Sequence, residues 1–127
     1  MKRNPIKTLK RNAWAAFSRK IRNRDPYCVT CLVEGKKVPS AHAGHYQYNT
    51  ERNQQLGGNA LWFDERNVHG QCAGCNLFKS GNLSSYTLYL TDKFGHTIFQ
   101  EIRILWKQPK KWTLAEIEEI AAYDPLR

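Results

Sequence analysis

The sequence predicts an α+β fold organised around a bound zinc ion, and three observations predict it. Four cysteines form two C-x2-C pairs, Cys28–Cys31 and Cys72–Cys75, with none left over. A basic stretch before the first pair carries apolar residues at helical spacing. Behind the second pair come further segments of helical period, while the residues between the pairs mix short extended runs with Asn- and Gly-rich breaks. A chain of 127 residues normally forms one domain, and one this small gains from a metal staple. The expected organisation is a single domain, 1–127: an N-terminal arm over 1–26, a zinc-stabilised core over 27–82 and C-terminal helices over 83–127.

The elements follow in order. Asn4-Pro5 reads as an N-cap with proline at the first helical position. Ile6, Leu9, Ala13, Ala16, Phe17 and Ile21 then recur on one helical face, and Asp25-Pro26 stops the helix. Val38 to Tyr48 supplies a first strand, and Asn49 to Asn59, with Gly57-Gly58, a loop. Ala60 to Phe63 restarts extended structure, and Asp64 to Asn67 turns. A short helix begins near the second cysteine pair and ends by Gly81. Leu83 to Phe94 is a helix closed by Gly95. Thr97 to Lys107 opens with a Thr97…Gln100 capping box, and Thr113 to Tyr123 with a Thr113…Glu116 box. Ile98, Phe99, Ile102 and Leu105 form one apolar face, and Leu114, Ile117, Ile120 and Ala121 another; both read as core packing.

Charge is placed unevenly. The net charge is +9, and residues 1–24 hold nine Lys or Arg and no acid, while the rest of the chain holds eleven of each sign. Such a run repels itself and seeks a polyanion, of which nucleic acid is the commonest. Lys7, Lys10, Arg11, Arg19, Lys20, Arg22 and Arg24 are the candidate phosphate contacts on this arm. A solvated helix face is the plainer alternative. No apolar run approaches the roughly 20 residues needed to cross a bilayer, and the N-terminus lacks the apolar stretch of a signal peptide. No membrane partner is expected. The cytosol is the expected compartment, the host's if the chain is phage-encoded, and thiols stay reduced there.

Zinc takes four tetrahedral ligands and is well served by thiolates. A two-residue spacer lets a turn aim both sulfurs at one ion, so two such pairs make a strong zinc signal. Two disulfides or four unligated thiols are the alternatives, and a reducing compartment disfavours the first. Forty residues separate Cys31 from Cys72, more than a simple zinc ribbon needs. That insert carries the histidines.

The insert reads Ser40-Ala41-His42-Ala43-Gly44-His45-Tyr46, then Gly57-Gly58, then Asn67-Val68-His69-Gly70-Gln71-Cys72-Ala73-Gly74-Cys75-Asn76-Leu77-Phe78-Lys79. This order resembles the HNH endonucleases, ββα-metal nucleases, in the form that adds a four-cysteine zinc. It is most similar to the NinG (Rap) family of lambdoid phage recombination proteins, and the endonuclease VII-like resolvases share the plan. The resemblance covers about residues 13–122 and is specific over 28–82. It implies an HNH-like ββα-metal core and a metal-dependent DNA endonuclease. The implied substrates are branched recombination intermediates such as Holliday junctions or D-loops. It assigns His45 as general base, Asn67 as the residue that orients it, and Asn76 as ligand of the catalytic metal. Many HNH sites place Asp or Glu immediately before the base; here Gly44 stands there, and His42 is the candidate replacement ligand.

The chemistry is coherent on its own terms. A neutral imidazole can take a proton from water near physiological pH. A divalent ion can stabilise the scissile phosphate and the leaving oxygen. Magnesium accepts an amide oxygen such as that of Asn76, and an imidazole such as His42 tilts the choice toward manganese. The zinc stays structural, since four thiolates leave it no open position. Plainer readings stand beside these. His45 can be a buried, satisfied histidine, His42 a packing or phosphate-contacting one, Asn67 a turn residue and Asn76 a helix N-cap. His69 is a second candidate for phosphate or metal contact, or a brace for the hairpin, and His96 is a surface residue. Lys79 and Arg66 either reach phosphate or are solvated. The competing functions are a non-catalytic zinc module that binds nucleic acid and a general nicking HNH enzyme. A homodimer is compatible with all of them.

Overall fold

The fold is given by a computed structural model that describes residues 5–47 and 60–123. The expected Asn4 cap, Lys2 and Arg3 of the basic arm, Tyr48 and the Gly57-Gly58 loop lie outside the described residues.

Helix α1 spans Pro5–Arg24. Ala13, Ala16, Phe17 and Ile21 are buried along one stripe, the i, i+3/i+4 pattern of a helix that packs on a core. Asp25 still donates its N–H to the Ile21 carbonyl at 2.8 Å, and Pro26 ends the run. The first cysteine pair follows, with Cys28 capping the short helix α2, Val29–Val33.

Two strands form the sheet: β1, His42–His45, and β2, Val68–Gln71. They pair antiparallel with His42 opposite Gln71, Ala43 opposite Gly70, Gly44 opposite His69 and His45 opposite Val68. The first strand is shorter than the expected Val38–Tyr48. Its early residues pair elsewhere: Val38 accepts from Cys28 N at 2.7 Å, Ser40 N donates to Pro26 O at 2.9 Å, and Pro39 bridges to Tyr27. The expected extended run Ala60–Phe63 is a turn, and the second strand lies further on. Leu61 belongs to one apolar cluster and Phe63 to another. An extended run points residues i and i+2 to the same side, so only a turn sends these two apart.

One cluster lies between α1 and the hairpin: Ala13, Phe17 and Ile21 meet Ala43, Phe63, Val68, Trp112 and Ile117. The other gathers Leu61, Tyr86, Leu90, Ile98 and Ile102. After β2 the chain makes a π-helical turn over Gly74–Phe78. Three helices close the fold: α3, Leu83–Phe94, α4, Thr97–Lys107, and α5, Leu114–Ala121. Gly95 (φ 81) ends α3 in a conformation that costs glycine little. The Thr113–Glu116 capping box is present in both directions. The expected Thr97–Gln100 box is not, because His96 is already helical (φ −66, ψ −25) and takes the cap position without a side-chain bond. Thr97 is thus the first helical residue. No helix among the described residues is long and apolar enough to cross a membrane.

Candidate metal centre and adjoining cleft

The two cysteine pairs meet. The Sγ atoms of Cys28, Cys31, Cys72 and Cys75 all lie within 4.8 Å of one another, and Cys31 Sγ stands 3.7 Å from both Cys72 Sγ and Cys75 Sγ. A tetrahedral zinc with bonds of about 2.3 Å sets its sulfurs about 3.8 Å apart, so the four could hold a zinc ion. Each pair is a turn in which the second cysteine's N–H donates to the first sulfur, at 3.4 Å in both. Burial opposes the Cys28 thiolate. The Thr30 hydroxyl at 3.2 Å and the Cys72 and Cys31 N–H groups nonetheless bring its pKa down to about 7. Burial, and then the crowding of the other three thiols, pushes Cys31 up. At Cys31 the other three thiols thus oppose ionisation, an electrostatic condition that a zinc ion relieves.

An open cleft of about 630 Å³ runs beside this cluster, lined by Trp14, Ser18 and Arg22 of α1, His42 and His45 of β1, and Asn76 and Leu77 of the π-helical turn. His45 lies in an aromatic slot, its ring 4.9 Å from both Trp14, nearly parallel at 13°, and Trp62. Its Nε2 is 3.0 Å from the Trp62 carbonyl. A carbonyl only accepts, so Nε2 carries the hydrogen and Nδ1 keeps the lone pair. Burial pulls the His45 pKa below 6.5, with the Trp62 carbonyl partly opposing it. The ring is therefore neutral near pH 7, the form a base requires.

Asn76 and His42 come together: the Asn76 amide nitrogen is 3.2 Å from His42 Nδ1. The turn that carries Asn76 is π-helical, with Lys79 N bonded to Gly74 O at 3.0 Å. Single π turns recur at functional sites. Asn76 is not a helix N-cap, since Ala73 holds that position. Asn67 is fully buried and touches no part of the His45 ring. Its amide clamps the backbone of Gln47, accepting from Gln47 N at 2.9 Å and donating to Gln47 O at 3.0 Å. It fixes the chain just past the end of β1, two residues beyond His45. His69 is fully buried, with Nδ1 3.1 Å from the Tyr86 hydroxyl, which itself donates to Gly44 O at 2.7 Å. Burial, then the nearby Arg24 charge, brings its pKa down to about 3. It braces the hairpin from the side facing α3. His96 is exposed.

The basic residues divide. Arg22 lines the cleft, with Nε bonded to Ser18 O at 3.2 Å. Arg11 and Arg19 are exposed, as is Lys7, while Lys10 is half-buried. Lys20 pairs with Glu65 at 2.8 Å in solvent, and Lys79 lies 3.8 Å from Glu34. Two of the expected phosphate contacts are instead bound within the fold. Arg24 donates to both Asp25 oxygens at 3.0 and 2.6 Å, to Glu65 O at 2.9 Å and to Val68 O at 2.7 Å. Arg66 holds Asp64 and Glu101 at 2.9 and 3.1 Å. Arg24 thereby clamps the end of α1 to the hairpin, and Asp25 completes the clamp by accepting from Gly70 N at 3.0 Å.

Sequence reasoning did not single out Trp62, Gln71 or Leu77, and it takes Trp14 only as a residue that packs on the zinc module. Tryptophans in apolar stripes look like core, and only tertiary contact shows that two of them bracket a histidine. The exposed pair Leu77 and Phe78, the latter 84% exposed, directly follows Asn76.

Comparison with known proteins places the chain. A family model described as the bacteriophage lambda NinG protein matches residues 2–125. The ninG protein of Salmonella phage P22 is 38% identical over 109 residues, covering 84% of this chain and 48% of that protein. Its counterpart in Escherichia phage lambda is 37% identical over the same shares. That of Enterobacteria phage H19B is 34% identical over 113 residues, 88% of this chain and 52% of that protein. The chain thus spans about half the length of the curated relatives it matches. No solved structure matches it.

Proposed function

This chain belongs to the NinG family, and from that premise we propose that it is a metal-dependent DNA endonuclease of the HNH type, acting on branched recombination intermediates. The observation that carries the reading is the state of His45: neutral, with its tautomer fixed by the Trp62 carbonyl, in a cleft shared with the Asn76–His42 pair. The order of elements also supports it, since a hairpin followed by a helical turn bearing Asn76 is the order of a ββα-metal unit. The branched substrate rests on the family resemblance alone.

In this reading His45 Nδ1 takes the proton of the attacking water, while the Nε2–H bond to Trp62 O steadies the imidazolium that forms. The ring stack with Trp14 and Trp62 fixes its plane. Asn76 and His42 would hold a magnesium or manganese ion, which supplies charge stabilisation at the phosphate and leaving oxygen. The four-cysteine zinc takes no part in the chemistry, because its coordination is complete. The outward-facing residues of α1, with Arg22 at the cleft, are the proposed phosphate contacts, and Lys79 can join them.

One observation favours a second reading. Among the described residues the cleft contains no carboxylate, which fits a zinc module that binds DNA without cutting it. A panel of four-way junction, flap, duplex and single-stranded DNAs decides between the two. The first reading requires Mg²⁺- or Mn²⁺-dependent strand cleavage, stopped by EDTA and strongest on the junction. Equal cutting of all forms would instead mark a general nicking enzyme, and binding without cutting would leave the second reading.

A further inference from the structure

Phe78 is 84% exposed, more than any other large apolar side chain among the described residues, and Leu77 beside it is 61% exposed. Their turn is held by bonds in which neither side chain takes part. Cys75, with its Sγ in the four-cysteine cluster, is buried at one end. Lys79 N donates to Gly74 O at 3.0 Å, Gly81 N to Cys75 O at 2.8 Å and Asn82 N to Lys79 O at 2.9 Å. The completely buried Gln71 amide donates to Gly81 O at 2.8 Å. Just past the turn, Ser80 (φ 49), Gly81 (φ 94) and Asn82 (φ 50) are all left-handed, a conformation that glycine takes freely, asparagine tolerates and serine adopts at a cost. The backbone thus holds Phe78 out in water, where an apolar ring gains nothing.

Its neighbours indicate what the ring can meet. Asn76 and Leu77 line the cleft that also holds His45 and Arg22, and Phe78 is the next residue. Trp14, the aromatic ring that lines the cleft, is already stacked on His45. Lys79 follows Phe78, and its ion pair with Glu34 is long, at 3.8 Å, and reaches solvent, so it exchanges readily for phosphate. An aromatic face flanked by cations is how proteins hold an unstacked base: the ring takes the base and the cations take its phosphates. A fully paired duplex keeps its bases stacked on one another, and displacing one costs least where pairing is already broken, as at a branch. A protein partner needs far more surface, about 800 Å² on each side of a stable interface, and this apolar pair stands between polar Asn76 and Lys79.

We infer that Phe78 stacks on a base left unstacked at a DNA branch and so favours branched over fully paired DNA. The inference rests on the proposed branched-DNA reading and adds to it the residue that reads the branch. Phe78 takes no part in proton transfer or metal binding, so its contribution appears in binding alone.

The test measures binding by fluorescence anisotropy, without added Mg²⁺ or Mn²⁺, of the full chain carrying His45→Ala. The probes are a synthetic four-way junction and a duplex of the same arm sequence, and zinc content serves as the folding control. Phe78→Ala removes the ring, Phe78→Leu keeps an apolar side chain without a ring, and Phe78→Trp keeps a ring. Junction affinity should fall at least about fivefold in Phe78→Ala and Phe78→Leu, the low end of what base–aromatic stacking contributes, and stay within about twofold in Phe78→Trp. Duplex affinity should change by less than about twofold in all three. The slope of log affinity against log salt should not change, since the ring neutralises no phosphate. Parental junction affinity in both ringless variants overturns the inference, and so does an equal loss on junction and duplex; either result leaves the proposed nuclease standing. If Phe78→Ala loses its zinc, Phe78→Leu decides by the same criterion. A parent that binds junction no better than duplex overturns both the inference and the branched substrate. Wild-type protein that cuts no DNA, with the ring dependence of junction binding intact, overturns the proposed function alone.

Discussion

His45 and Asp25 show how single residues are given their chemistry by what surrounds them. In the proposed reaction His45 is suited to act as the base because a carbonyl holds one nitrogen and burial keeps the ring neutral. His45→Ala should lower the cleavage rate by roughly 10²–10⁴-fold, the usual contribution of a general base, with DNA binding and zinc content nearly intact. Since its pKa lies below the ordinary 6.5, the acid limb of the pH–rate profile should fall below pH 6.5. A limb above 7 would point to another group. Asp25 is buried, and burial alone would raise its pKa; the bonds from Arg24 and from Gly70 N outweigh that and hold it below 3.8. A carboxyl lowered on folding stabilises the fold fully above about pH 3.8, and the gain is lost as pH falls through the folded value. Asp25→Asn should therefore destabilise the protein at pH 7 by about 1–3 kcal/mol and flatten the acid end of its stability profile, as urea melts across pH would record. The cysteines were legible in the sequence because a two-residue spacing is a local signal. The Trp14–His45–Trp62 slot and the buried Gln71 were not, because each depends on residues brought together only by the fold.

At the scale of elements, legibility follows the same line. The helix over Pro5–Arg24 and the Thr113 capping box are encoded within a few residues of themselves, by apolar period and by cap chemistry, and the sequence shows both. The limits of β1 and the turn at Ala60–Phe63 are set by distant partners: Cys28 and Pro26 draw off Val38 and Ser40, and two separate clusters divide Leu61 from Phe63. Helix α1 serves two purposes along its length. Its Ala13–Ile21 stripe packs on the hairpin, and Arg24 is bound into the fold, so the proposed DNA contact falls to the basic residues toward its N-terminal end and on its outer face. Removing residues 1–12 takes away five of the nine basic residues before Asp25 and spares Trp14, Phe17 and Ile21. Junction binding should weaken, and the slope of log affinity against log salt should flatten by about 0.9 for each phosphate that is no longer neutralised. Equal slopes for full-length and shortened protein, measured in the His45→Ala background, would return the basic run to a solvated helix face.

For the whole molecule, the cysteine cluster joins parts far apart in sequence. Cys28 and Cys31 sit on one side of the hairpin's sequence and Cys72 and Cys75 on the other. The second pair leads directly into the turn that bears Asn76. Zinc binding should therefore be inseparable from folding: Cys75→Ser, or prolonged strong chelation, should abolish the cooperative melt and the far-ultraviolet helix signal together. A purified protein that melts cooperatively with no bound metal would refute that role. The central claim is that this zinc-built frame presents His45 and Asn76 for phosphodiester cleavage. The most direct test is single-turnover cleavage of a synthetic four-way junction by zinc-loaded protein in Mn²⁺, wild type beside His45→Ala at equal DNA occupancy. The account predicts metal-dependent strand scission by the wild type and a loss of roughly two to four orders of magnitude in the variant. Absence of cleavage by the wild type, or an undiminished rate in His45→Ala, would contradict it.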